Sequence, residues 1–258
     1  MVAPYLSDDS SGGRASNRAW GPVPSLLLRP VGESGSGNLN PNKEHVMVAQ
    51  PTLDRIIEFH GHMCAGLALG IRAAEVALEE VGAHSADEEV VAIVETDMCG
   101  VDAVQFLTGC TFGKGNLIHR DYGKNAYTFI RRSDGKAVRV SPAPGSGARD
   151  PGWFELFAKM RSGSAAPEDR QQFRDMQAER SQHVLDAPLE ELYEVREVNV
   201  EAPPHARILV SVECAACGEP TMETRITRLD GRDLCRPCYE QSMAGEAPVP
   251  IPTRKTTP

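Results

Sequence analysis

From Pro51 onward the chain alternates between apolar positions at helical spacing and short β-branched runs, whereas residues 1–46 keep neither period. Leu53, Ile56, Ile57 and Phe59 fall three, one and two apart, which predicts a first helix with those residues toward the core and Thr52 as its cap. A second helix is predicted from about Ala65 to Val81, ending at Gly82. Leu67, Ile71, Ala74, Leu78 and Val81 mark one face of it, and Leu69, Ala73 and Val76 another. A helix apolar nearly all round belongs in the middle of a domain. Gly66, Gly70, Ala73 and Ala77 leave room for another helix to come very close, and the apolar surface of this helix, more than a short strand and a meander can cover, predicts a dimer held by the core. Arg72 must either snorkel outward or pair with a buried acid.

Period-2 patterning takes over at Val90. Val90 to Glu95 is the best candidate for a central strand, and it delivers Asp97 and Cys99 to a turn at Gly100 and a short helix through Phe106. Leu117–His119, Ala126–Arg131 and Ala137–Val140 read as a meander, with turns at Tyr122-Gly123 and Ser133-Asp134-Gly135. Trp153–Met160 predicts a short helix, and Pro167 opens a polar one to about Leu185. Leu192–Val200 alternates and should return a strand to the sheet before Ala202-Pro203-Pro204 breaks the pattern. The run TFGKGN at 111–116 lacks the glycine spacing and the Ser or Thr of a phosphate loop, so nucleotide binding through it is rejected.

Four segments follow. Residues 1–46, rich in Ser, Gly, Asn and Pro, are expected to be disordered, with Met47 as the natural start. Residues 47–204 form a core domain, 205–243 a small second domain, and 244–258 a disordered tail. The formal net charge of −9, with no basic cluster, argues against nucleic acid as a partner. No apolar run approaches the roughly 20 residues of a membrane span, and no secretory leader is evident, so a soluble cytoplasmic protein is expected. Seven cysteines, an odd number, point to metal ligands or reactive thiols in a reducing compartment and not to a disulfide frame.

The chemistry concentrates in two places. His60, His62 and Cys64 occupy every second position of a Gly-bent turn that runs into the second helix. Two imidazoles and a thiol suit zinc, nickel, copper or iron, and a thiol at a helix start is favoured as thiolate. The plainer alternative is a buried histidine pair beside a structural cysteine. If the strand after the second helix packs on that helix, it brings Cys99 back to the turn. His60 and Asp97 then stand nearby, and Cys110 and Lys114 line the mouth. Cys64, Cys99 and Lys114 are the candidate catalytic residues. The second place is Cys214-Ala-Ala-Cys217 and Cys235-Arg-Pro-Cys238, separated by residues 218–234. Two CxxC pairs at this distance, with a hairpin between them and a helix at the second pair, are the signature of a treble-clef finger holding one structural zinc. The alternative is a pair of redox dithiols.

FHGHMCAGLALGIRA (59–73), TDMCGVDAVQ (96–105), GCTFGKGNL (109–117) and LYEVREVNV (192–200), in this order, resemble the FmdE family, named after one of the subunits of formylmethanofuran dehydrogenase. The resemblance spans about residues 51–200, and the finger is similar to the tail of some members. Ala65 departs from the proline usual after the cysteine. The resemblance implies an α+β core, with helices packed on a mixed or antiparallel sheet, plus the treble-clef finger. It also implies a homodimer and a pocket around His62, Cys64 and Cys99; the donor types read above add the expectation of a second transition metal there, with His60 or Asp97 as a fourth ligand or just behind the ligands. The function it implies is an accessory or cofactor-handling role for a molybdenum or tungsten pterin enzyme, whose subunits would be partners. Two other readings stand beside it: an independent metal- or thiolate-dependent redox enzyme, and a zinc-finger module that docks a protein.

Overall fold

The computed structural model describes residues 47–82, 87–147 and 151–245; the extensions 1–46 and 246–258, expected as disordered, lie outside them. These residues form two compact units, 47–206 and 207–245, each described by itself.

In the larger unit, helix α1 (Gln50–His60) starts at Ala49 with no side-chain cap, and Pro51 stands in its first turn. The fixed φ of proline starts the helix ahead of Thr52, so Thr52 lies inside it and is not the expected cap. Ile56 is the fully buried apolar residue of α1. Phe59, expected in the core, is exposed and leans on Phe106 with ring centroids 5.9 Å apart. Helix α2 (Ala65–Glu80) is buried nearly all round from Ala65 to Ala77, as its pattern predicts. Arg72 takes the second of its two alternatives and pairs with buried Glu75 at 2.5 Å.

Strand β1 (Val90–Val94) is buried at every position because both its faces are covered. Val90, Ala92 and Val94 join α2 in the main core, while Val91 and Ile93 face Ile118, Val198 and Val200 on the other side. After β1 the chain forms α3 (Gly100–Thr108) and returns to lay β2 (Leu117–His119) parallel to β1. β3 (Tyr127–Arg131), β4 (Ala137–Pro142) and β5 (Tyr193–Glu197) complete a five-stranded mixed sheet in the order β2-β1-β3-β4-β5. The expected meander therefore needs correcting: β1 separates β2 from β3, because the α3 crossover carries β2 back to the side of β1 opposite β3. Helices α4 (Pro151–Ser162) and α5 (Pro167–Asp186) pack through Trp153, Phe157 and Phe173, and short α6 (Leu189–Leu192) leads into β5.

The small residues of α2 are used inside the chain. A Cβ on Gly70 would stand 2.2 Å from the carbonyl oxygen of Gly100, and one on Gly100 would stand 2.5 Å from the Tyr127 hydroxyl. Helix α3, not a second copy, fills the place that the glycines leave open. Gly70→Ala tests this crossing. In an ordinary helix interior it would stabilise by about 1 kcal/mol. Here the backbone clash should reverse the sign, with a net loss of about 1–3 kcal/mol in a denaturant melt. A more stable variant would contradict so close an approach.

The smaller unit is a knuckle, a hairpin and a helix. β6 (Ser211–Glu213) pairs with β7 (Pro220–Met222), and β8 (Ile226–Leu229) pairs with β9 (Arg232–Cys235). Asp230 and Gly231, at φ 48° and 78°, make the two-residue turn that a tight hairpin favours. Helix α7 (Arg236–Met243) carries Pro237 in its first turn. No helix among the described residues is long and apolar enough to cross a membrane.

Candidate metal centres

The core site is built where two helices begin. Gly61, at φ 99°, closes α1, and the chain turns at once into α2. Cys64 is the N-cap of α2, and its Sγ accepts from the backbone N–H of Leu67 at 3.3 Å. Cys99 is the N-cap of α3. The Gly70–Gly100 crossing brings these two helix starts together. Both sulfurs lie 3.8 Å from where a Cβ on Gly66 would stand, so they are within twice that distance of each other.

His60, His62 and Cys64 each direct one ligand atom to within 4.8 Å of the others, an outer limit about 1 Å above the edges of roughly 3.3–3.8 Å that a tetrahedral ion with 2.0–2.3 Å bonds would set. The two imidazole centroids are also 4.8 Å apart. His60 Nδ1 meets Asp102 Oδ2 at 2.7 Å, and its Nε2 is buried with no partner. Such an orphaned lone pair beside a thiol fits a metal ligand. Burial first, and then the neighbouring Cys64 thiol, push the Cys99 thiol up from its ordinary value.

The cysteines and histidines of the site line two clefts. His60 and Cys99 face a cleft of about 350 Å³ with Thr96, Asp97, Asp102 and His119. His62 and Cys64 face one of about 590 Å³, whose far wall is α5 with Phe173, Arg174 and Gln177. Asp97 is exposed on the first cleft, and neither it nor Cys99 is one of the three residues of the donor cluster, although Cys99 adjoins it. Lys114 and Cys110 do not line the mouth. Cys110 is buried with its Sγ 3.2 Å from the Val90 carbonyl, and Lys114 Nζ donates to the Asp87 carbonyl. Both stand at the start of β1, whereas Cys99 follows its end. The parallel β2 forces this, since the loop leading into it must finish at the end of the sheet where β1 starts.

Two neighbours of the site are not among the residues that the sequence pattern singles out. Asp102 stands one helical turn after Cys99, and that i, i+3 spacing is the available signal. Tyr127 comes from β3 to the foot of α3 and donates to Asn125 Oδ1 at 2.6 Å. Burial first, and then the nearby Cys99 thiol, push its hydroxyl up.

In the smaller unit, Cys214, Cys217, Cys235 and Cys238 converge, each offering its sulfur within 4.8 Å of the others. Cys217 and Cys235 sulfurs are 3.8 Å apart, which matches the edge of about 3.8 Å of a tetrahedron with 2.3 Å zinc–sulfur bonds. Burial raises the Cys214 thiol, but the backbone N–H groups of Cys217, Cys235 and Ala216 outweigh it and hold the value down at about 6. Burial and then the three other thiols push Cys238 up. A cation lets all four ionise together, so the set fits a zinc finger. All seven cysteines are free thiols.

Comparison with known proteins agrees with this architecture. The family model described as FmdE, molybdenum formylmethanofuran dehydrogenase operon, matches residues 59–194. A probable S-adenosyl-L-methionine-binding protein of Archaeoglobus fulgidus is 39% identical over 194 residues, which are 71% of this chain and 51% of that protein. The chain thus spans about half the length of that curated relative. The crystal structure of an FmdE-like protein from Syntrophus aciditrophicus, similar to a component of tungsten formylmethanofuran dehydrogenase, superposes with a TM-score of 0.51 at 25% identity, over 75% of this chain and 92% of that one. With a family model matched over more than half its length, on a mixed α+β core followed by a four-cysteine finger, the chain belongs to the FmdE family.

Proposed function

We propose that this chain is a cytoplasmic accessory or cofactor-handling protein for a molybdenum or tungsten pterin enzyme of the formylmethanofuran dehydrogenase type. In this reading residues 47–204 hold a transition metal through His60, His62, Cys64 and Cys99, and residues 205–243 hold a structural zinc. The operon named by the family and the enzyme named by the structural relative support the partner. The observation that carries the site is the cluster of two imidazoles and a thiol, with a second thiol at the adjoining helix start. Zinc, nickel, copper and iron all accept this donor set, and it supplies either Lewis acidity or an electron-transfer centre when loaded. Donors at the end of α1, in the turn after it and at two helix starts line two clefts, which would keep the ion reachable. The homodimer of this reading rests on the family resemblance, since α3 covers the small-residue face of α2.

Metal analysis of the protein purified without chelator tests the proposal. Wild type should carry two ions per chain and Cys64→Ala one, and both should sediment as dimers. One ion in each, or a concentration-independent monomer, would remove the metal site or the dimer respectively. The neighbouring thiols of Cys64 and Cys99 support a second reading, an independent thiol enzyme. Under that reading wild type holds the finger's ion alone, and Cys64 is alkylated fast.

A further inference from the structure

Asp102 has no part in the donor set, yet its two oxygens are held from two sides. Gln105 Nε2 donates to Oδ1 at 3.3 Å, and His60 Nδ1 meets Oδ2 at 2.7 Å. A carboxylate oxygen only accepts, so Nδ1 of His60 carries the proton. In the neutral ring this leaves the lone pair on Nε2. That nitrogen is buried and without a partner, while the ring lies beside His62 and within reach of the Cys64 sulfur. Were the proton on Nε2 instead, a buried N–H would be left with no hydrogen-bond partner.

We propose that Asp102 is the positioning residue of the core metal site: it holds His60 as the Nδ1–H tautomer and so presents the Nε2 lone pair to the ion. This rests on the metal reading of the site given above. The carboxylate acts through the ring and does not touch the ion. A ligating imidazole whose other nitrogen donates to a carboxylate is fixed in orientation and made more basic. The device also explains the placement of Asp102 on α3. Cys99 begins that helix and Asp102 lies one turn on, so the crossing that sets the thiols side by side also sets the carboxylate against α1. Ring orientation and thiol separation thus depend on one helix–helix contact.

Asp102→Asn tests the inference on the full chain with zinc in the finger. With Gln105 still donating to the side-chain oxygen, the amide nitrogen faces His60 Nδ1 and moves the ring proton to Nε2. The first readout is the tautomer of His60, from the ¹⁵N shifts of its ring nitrogens at fixed pH in histidine-labelled protein before the second ion is added. Wild type should show the proton on Nδ1, and Asp102→Asn on Nε2. The second readout is competition of a chelator for the second zinc ion, where affinity should fall about 10- to 100-fold in the variant while the finger's ion stays in place. Cobalt loaded into the second site should also change its visible absorption between the two proteins, since one imidazole is lost or turned. Wild-type protein with the proton on Nε2 overturns the inference without recourse to any variant. So does a variant that binds the second ion as wild type does, and in that case the metal reading stands. A wild type that takes up no second ion overturns the metal reading and this inference together, which separates the two failures.

Discussion

Replacing Cys235 by serine is expected to release the finger's ion and to unfold residues 207–245 while the larger unit stays folded. The reason is the size of the apolar cluster. The buried cluster of the smaller unit consists of Cys214, Leu234, Cys235 and Cys238, so three of its four members are themselves candidate ligands. Ala216, Leu229 and Tyr239 pack around it only in part. A cluster of that kind cannot offset the entropy of ordering some forty residues at about 1–2 kcal/mol each. Metal binding in such modules contributes on the order of 10–16 kcal/mol, and that is the folding energy. The larger unit has its own cluster running through α2, β1, β3 and β4, and it needs no ion. Zinc content should drop by one ion per chain, and NMR should show collapsed dispersion for residues 207–245 alone. Full zinc and an unchanged melting curve in Cys235→Ser would sink the assignment.

Arg72→Met should destabilise the larger unit by about 3–5 kcal/mol at neutral pH, because it leaves a buried carboxylate unpaired. Glu75 is 4% exposed and takes two bonds, one from Arg72 at 2.5 Å and one from the Val48 backbone N–H at 2.8 Å. Arg72 also reaches the Ala187 carbonyl at 3.1 Å and the Met47 sulfur at 3.0 Å, so one guanidinium ties the entry of α1 and the end of α5 to α2. Burial is the main influence on Glu75 and pushes its carboxyl above the ordinary value, against the lowering effects of Val48 and Arg72. Removing the guanidinium takes away part of that lowering, so the folded variant binds a proton more tightly than the unfolded chain does. Its stability must then fall as pH rises through the raised value, and the deficit against wild type should shrink as pH is lowered toward the ordinary carboxylate range. Arg72→Met with Glu75→Gln should recover much of the loss, since the amide oxygen still accepts from Val48 and carries no charge. Urea melts of the single and double variants at two pH values check all three expectations. A single-variant loss below 1 kcal/mol would show that the pair is unimportant to folding.

Local patterning makes much of this chain legible. The all-round apolar face of α2, the β-branched run of β1, the Asp230-Gly231 turn and the proline that opens α5 each reflect forces acting within a few residues, so spacing reveals them. The same is true of Cys64 at the start of α2, and of His60 and His62, whose closeness needs only one glycine turn. The start of α1 departs from expectation because Pro51 outweighs Thr52, which is also a local matter.

What the sequence by itself determined is therefore the set of elements and the donor types: α2, the strands, the His-x-His-x-Cys turn and the paired CxxC motifs, all dictated by neighbours along the chain. The tertiary structure alone decided which donors meet. The α3 crossover made β2 parallel to β1, which carried Cys110 and Lys114 to the end of the sheet away from Cys99. The Gly70–Gly100 contact placed Cys99 beside Cys64 and Asp102 against His60, across a separation of 42 residues in the latter pair. Spacing cannot show such pairings, because they depend on which two surfaces can approach most closely. Here that was settled by the absence of two side chains.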